Sequence, residues 1–209
     1  MENGKRMGRG KKATIAAVAA ICVLAVSLAG GWYWVTHSVE QPAYTVVEAD
    51  GDIELRDYPA MVVAEAVTAG DRQEGVRQGF RALAGYIFAK DRDGERIAMT
   101  APVIQQPTEG NGGSAWRVRF VMPSQYALDA LPRPAGGEVA LDRWPPMRLA
   151  AIRFSGRADD ADFAEHEARL RDWLAGQGLE PEGPPLLAYY DDPWTPGVLR
   201  RNEVLLRFR

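Results

Sequence analysis

Ile53-Glu54-Leu55-Arg56-Asp57-Tyr58-Pro59-Ala60-Met61 reappears 86 positions later as Val139-Ala140-Leu141-Asp142-Arg143-Trp144-Pro145-Pro146-Met147. Apolar residues match at the first, third and last positions, and an aromatic-Pro step matches between them. Each copy runs on through a short apolar stretch, an acidic or polar turn and a helical pattern. A supersecondary unit of this size cannot bury its apolar face alone, so the two copies are expected to pack together. The binding surface is then expected where the halves or their helices meet.

Working outward, Tyr44-Thr45-Val46-Val47-Glu48 reads as a short strand, and Asp50-Gly51 is a hairpin turn signal. Ile53 to Tyr58 alternates apolar and polar, and Met61 to Val67 reads as a buried strand. Asp71 with Glu74 three residues on opens a helix. Its predicted apolar stripe is Val76, Phe80, Leu83, Ala84, Ile87 and Phe88. Ile97 to Val103 is expected to be extended, and Gly110 to Ser114 to be a flexible loop. Trp116, Val118, Phe120 and Met122 alternate with Arg117, Arg119 and Val121 as a half-buried strand. Residues 124–137 cross to the second half. There, strands at Val139–Trp144 and Met147–Phe154 precede a helix capped by Asp159 or Asp160. That helix carries Phe163, Leu170, Trp173 and Leu174 and is stopped by Gly176 and Gly178. Strands at Leu186–Tyr190 and Glu203–Phe208 finish the chain.

The order strand–strand–helix–strand–strand thus occurs twice, an α+β arrangement. About eight strands in two βαββ-type halves, 44–123 and 138–209, are expected to curl into a distorted barrel with the two helices outside.

At 209 residues, with 46% hydrophobic and 25% charged residues, the chain has room for one globular domain and a tail. The single Cys22 excludes an internal disulfide framework and a Cys-based zinc site. The net charge of −3 is uneven. Residues 1–12 carry Lys5, Arg6, Arg9, Lys11 and Lys12 against Glu2, a balance of +4 that leaves −7 on the other 197 residues. An acidic body argues against nucleic acid as a partner, because phosphate binding needs a basic surface.

Residues 13–35, ATIAAVAAICVLAVSLAGGWYWV, hold no charge, and these 23 residues are long enough as a helix to span a bilayer. The basic residues 1–12 then form a cytoplasmic tail, and the body lies across the inner membrane in the periplasm. Two readings compete. Ser27-Leu28-Ala29 resembles a signal-peptidase site, which would leave a soluble periplasmic protein. Trp32, Tyr33 and Trp34 suit the aromatic belt of an uncleaved single-pass anchor, the reading adopted. Residues 36–43 are a linker, and the body is expected to span 44–209.

No nucleophile–base pattern stands out. There is no G-x-S-x-G, and Cys22 lies in the apolar segment. His166 sits between Glu165 and Glu167 and reads as a surface residue; His37 reads as a linker residue. Nothing in the spacing selects Asp57, Asp191 or Asp192 for acid–base work. With no residue set proposing a mechanism, the chain reads as a binding protein and not an enzyme.

Three stretches carry a resemblance. Ile97-Ala98-Met99-Thr100-Ala101-Pro102-Val103 resembles the M-T-x-P-V signature of the SOUL family of heme-binding proteins. Trp116 to Pro123 is similar to the strand that follows it. Tyr190-Asp191-Asp192-Pro193 and Arg200-Arg201-Asn202-Glu203-Val204 are similar to the family's C-terminal motif. The resemblance implies the distorted eight-stranded barrel and noncovalent binding of heme or a related tetrapyrrole in a shallow apolar groove along the first helix, with no protein axial ligand required. Carried over by position, it implies site residues Arg77, Phe80, Ala84 and Thr195, with Arg81 one turn from Arg77. Ala84 stands where a Met is found, and Gly85 and Thr195 where lysines occur, so the groove floor is thinner and two positive groups are missing. These departures favour an alternative, a binding module for another apolar small molecule or a protein partner.

Overall fold

A computed structural model describes residues 39–90, 92–109 and 114–209. The compact unit Glu40–Arg209 contains nine strands: β1 Thr45–Asp50, β2 Ile53–Tyr58, β3 Met61–Ala69, β4 Val103–Glu109, β5 Ser114–Val121, β6 Ala140–Trp144, β7 Met147–Ser155, β8 Pro181–Tyr189 and β9 Arg201–Phe208. Two helices, α1 Arg72–Ile87 and α2 Asp160–Gly176, complete it. The reading of residues 13–35 as an anchor lies outside the described residues, as does most of the expected loop at 110–114. Among the described residues, no helix is long and apolar enough to cross a membrane.

All strands form one antiparallel sheet in the order β1-β2-β7-β9-β8-β4-β5-β3-β6. The expected eight-stranded barrel is corrected in two respects. The sheet has nine strands, because the β1 arm of the first hairpin adds an edge outside the repeated order. It is also open between β1 and β6, a curled half-barrel. The curl follows from chain length. β2 and β3 stand six places apart, about 29 Å in a flat sheet. Only Pro59 and Ala60 join them, a reach of about 11 Å.

The two repeated stretches, Ile53–Met61 and Val139–Met147, enter the sheet crosswise. β2 pairs with β7, setting Tyr58 opposite Met147; β6 pairs with β3, setting Trp144 opposite Met61. Each stretch therefore begins its strand in one half of the sheet and ends in the other. Neither half can bury its face without the other's leading strand.

Local signals place the helices. Asp71 caps α1 by accepting from the Glu74 N–H at 2.9 Å. Asp159 caps α2 in a reciprocal box with Asp162. Gly178 follows α2 with φ +72°, a conformation glycine adopts without strain. Both helices pack on the convex face. Leu170, Leu174 and Phe163 of α2 cluster with Ile152, Leu187, Val204 and Leu206. Leu83, Tyr86 and Ile87 of α1 cluster with Ala64, Ala66, Val118 and Phe120.

The α1 stripe differs from expectation. Its buried line runs through Gly75, Gly79, Leu83 and Tyr86, while Phe80 and Phe88 are 41% and 37% exposed. The glycines bring the helix axis close to the sheet: a Cβ at Gly79 would lie 2.7 Å from Val118 Cγ2. That close seat turns the phenylalanines outward. The expected strand at Ile97–Val103 is also shorter. Residues 97–102 are irregular, with Ile97 buried, and β4 begins at Val103.

Candidate functional site

The outer face of α1 presents two parallel rows. Phe80, Ala84 and Phe88 recur every four residues and line up along the helix over about 12 Å. Arg77 and Arg81 form a second, exposed row beside them. Phe80 leans edge-on against the buried Phe120, with ring centroids 5.4 Å apart, so its position is supported from below. Arg77 pairs with Glu74, which Gln78 also contacts at 2.6 Å. Those donors, Gln78 first and then Arg77, hold the Glu74 carboxyl below the usual carboxylate range. Gly85 is buried and adds nothing to this face.

Arg72 closes the first turn of α1. It donates to Gln105 Oε1 at 3.1 Å and pairs with Asp160 and the Tyr189 hydroxyl, and its guanidinium lies within 6 Å of the Phe163, Trp116 and Tyr189 ring centroids. The starts of the two helices are thereby tied together.

Thr195, the fifth expected residue, lies elsewhere in character. It is 3% exposed, and its N–H donates to Asp192 Oδ1 within its own loop. Its hydroxyl has no partner among the described residues. His166 is half-buried at the edge of α2, with Nδ1 2.7 Å from Asp162 O and its ring stacked on Phe154 at 3.8 Å. Among the described residues, no group of three or more His, Cys, Asp or Glu is arranged to hold a metal. Asp57 forms a surface ion pair with Arg148 through bonds of 2.7 and 3.1 Å, which hold its carboxyl below the usual range.

The concave face holds charged groups that the alternation of the strands does not reveal. Arg56 grips Glu203 with bonds of 2.8 and 3.0 Å, and Arg201 and the Tyr190 hydroxyl each donate to the same carboxylate at 2.7 Å. Burial pushes Glu203 upward, but the hydrogen bond and charge of Arg56 prevail and hold it below the usual carboxylate range. Burial and the neighbouring Glu203 charge push the Tyr190 hydroxyl well above the ordinary tyrosine value. A second cluster sets Arg119 against Glu65 and Gln106, both at 2.9 Å, under the Trp144 ring. Arginine and glutamate at inward strand positions look solvent-facing in sequence. The only available signal was their fit to an uninterrupted period-2 pattern on strands flanked by apolar partners.

A cavity of about 310 Å³ opens where the first Pro-containing turn meets the end of β5. Met61, Val62, Val121, Met122 and Tyr126 form its apolar wall, and Arg143 lines it. Arg143 stands opposite Val62 in the β3–β6 register. Among the described residues no carboxylate pairs with its guanidinium, in contrast to Arg148, which sits opposite Asp57 and is sealed by it.

Comparison with known proteins agrees with this architecture. The C-terminal domain of EcmrR superposes with a TM-score of 0.58 at 13% identity, covering 79% of this chain and 98% of that one. A structure described as a hydrolase from Listeria innocua gives 0.53 at 14% identity, covering 78% and 94%. At these identities the likeness is one of fold. Heme-binding protein 1 of Xenopus laevis is 28% identical over 162 residues, which is 75% of this chain and 84% of that protein. Heme-binding protein 2 of Homo sapiens is 30% identical over 128 residues, 57% of this chain and 62% of that protein. A model of the family described as SOUL heme-binding protein matches residues 39–207, nearly the whole described body. The chain belongs to the SOUL heme-binding protein family.

Proposed function

We propose that this protein binds heme or a related tetrapyrrole noncovalently on the outer face of α1, for buffering, transport or sensing and without catalysis. The observation that carries this reading is the half-exposed Phe80–Ala84–Phe88 row beside exposed Arg77 and Arg81. A tetrapyrrole is a flat apolar ring with carboxylates on one edge. The phenyl faces bury the ring, and the guanidiniums meet the propionates in charge-assisted hydrogen bonds. Arg77 must leave Glu74 to do so, which sets a modest competition at the site. Thr195 is buried and offers no side chain to the ring. Titration of the full chain with hemin tests the proposal: a Soret shift with tryptophan quenching at micromolar hemin is expected, and no change overturns it.

A second reading is favoured by the 310 Å³ cavity. Its apolar wall and Arg143, which no carboxylate pairs among the described residues, suit a small molecule with an apolar body and an anionic end, while Glu40, also in the lining, accepts from the Ser124 N–H at 2.7 Å. Native mass spectrometry of protein from its own host separates the readings, since a porphyrin supports the first and a smaller apolar acid the second.

We further propose that residues 13–35 anchor the body at the periplasmic side of the inner membrane, a reading supported by their lack of charge and the basic residues before them. N-terminal sequencing of the mature protein is expected to return an uncleaved start. We also read the crosswise strands β2–β3 and β6–β7 as copies of one duplicated unit.

A further inference from the structure

The largest apolar exposures in the described body fall in one loop, between β8 and β9. Trp194 is 89% exposed, Val198 82% and Leu199 60%. The loop is pinned from within. Asp192 Oδ1 accepts from the N–H groups of Trp194 and Thr195 at 2.7 and 2.9 Å. The Arg201 N–H donates to Asp191 Oδ2 at 2.6 Å, and Arg200 donates to the carbonyls of Thr195 and Pro193. Gly156 N–H reaches Gly197 O at 3.1 Å. An indole and two aliphatic side chains are thus held in water by a preorganised backbone, with little further ordering required to bury them.

Two features name what covers them. The first is residue type: tryptophan with aliphatic neighbours partitions into the bilayer interface, where the ring lies among headgroups and acyl chains. Arg157, whose stem lies against Gly197, and Arg200 offset Asp191 and Asp192, so no net negative charge opposes an anionic surface. The second is where the chain enters the body. Gln41 Oε1 accepts from Arg201 Nη1 at 3.2 Å, and Arg201 directly follows the loop. The five residues between Val35 and Gln41 reach at most about 20 Å.

We propose that the loop carrying Trp194, Val198 and Leu199 inserts into the interface of the bilayer that holds residues 13–35, as a second membrane contact. This rests on the reading of 13–35 as an anchor. Three side chains bind a bilayer weakly alone, but a tether places them at an effective concentration in the millimolar range.

The test uses the full chain in phosphatidylcholine–phosphatidylglycerol vesicles, with and without brominated acyl chains, and compares it with Trp194→Ala. Retention after an alkaline carbonate wash is read first. The emission that Trp194→Ala removes is expected to be quenched by brominated lipid and shielded from acrylamide. The Val198→Asp/Leu199→Asp variant, with Trp194 intact, is expected to lose both effects. Retention of a chain whose Trp194 stays open to acrylamide and indifferent to brominated lipid overturns the proposal. Shielding that appears only as protein density rises also overturns it and assigns the loop to a second copy. Release of the full chain by carbonate overturns the anchor reading itself, and the proposal with it.

Discussion

Arg56 and Glu203, 147 residues apart in the chain, meet on the concave face with side chains 2% and 0% exposed. They stand on β2 and β9, which are not neighbours in the sheet, so the pair crosses over β7 and ties the first repeated stretch to the last strand. Arg56 also lies 4.4 Å from the Tyr44 ring centroid and donates to Tyr58 at 3.3 Å. Its Nε also pairs with Glu54 at 2.7 Å, so the two arginines, Arg56 and Arg201, face two carboxylates, Glu203 and Glu54, and the charges match, which is the condition for burying them.

Arg56→Met leaves Glu203 buried with a donor set reduced to Arg201 and Tyr190. A loss of roughly 3–5 kcal/mol in urea unfolding is expected, the range for breaking one side of a buried pair. Arg56→Met/Glu203→Leu, which removes both charges, is expected to lose less than the Arg56→Met single variant. Strict additivity of the two substitutions would show that the charges do not act as a pair.

Alkaline pH is expected to destabilise the body through its buried tyrosines. Burial pushes Tyr58 from the ordinary 10.0 up to about 12. A folded pKa above the unfolded one contributes stability that is complete below the unfolded value and is lost as pH rises through the folded one. Stability is therefore expected to fall between pH 10 and about 12, with Tyr58→Phe flattening that slope. Tyrosinate absorbance that rises to completion near pH 10 in the folded protein would contradict this.

Gly79→Ala places a methyl 2.7 Å from Val118 Cγ2. About 1–3 kcal/mol of destabilisation is expected from overpacking, although alanine is the better helix former. Adding Val118→Ala is expected to recover part of it, as read by thermal unfolding. A stabilised single variant would mean that the helix can lift from β5 freely.

On the α1 face, Arg77→Ala is expected to weaken hemin binding about tenfold, equivalent to ~1.4 kcal/mol. Glu74→Gln is expected to strengthen it by releasing Arg77. Thr195→Ala is expected to leave it unchanged. Equal affinities for the Arg77 and Glu74 variants, read from Soret titrations, would move the site off this helix.

Much of the body was legible from the chain. Asp71 and the pair Asp159–Asp160 mark the helix starts, and Gly176 with Gly178 marks the end of the second helix, because caps are chosen by backbone geometry within a few residues; the structure selects Asp159 as the cap and ends the helix at Gly176. The period-2 runs located most strands, and the motifs from Ile97 to Val204 located the family. What lay beyond local chemistry was not legible. Glycine has no apolar side chain, so the line Gly75–Gly79 that seats α1 is invisible to apolar periodicity, which draws the stripe through Phe80 and Phe88 instead. Which strand β2 and β6 would join depended on closing the sheet around a shared core. Arg56 and Arg119 looked solvent-facing because a charge in a strand is inward only if its counter-charge arrives from elsewhere. That arrival, Glu203 from 147 residues away, is set by tertiary packing alone.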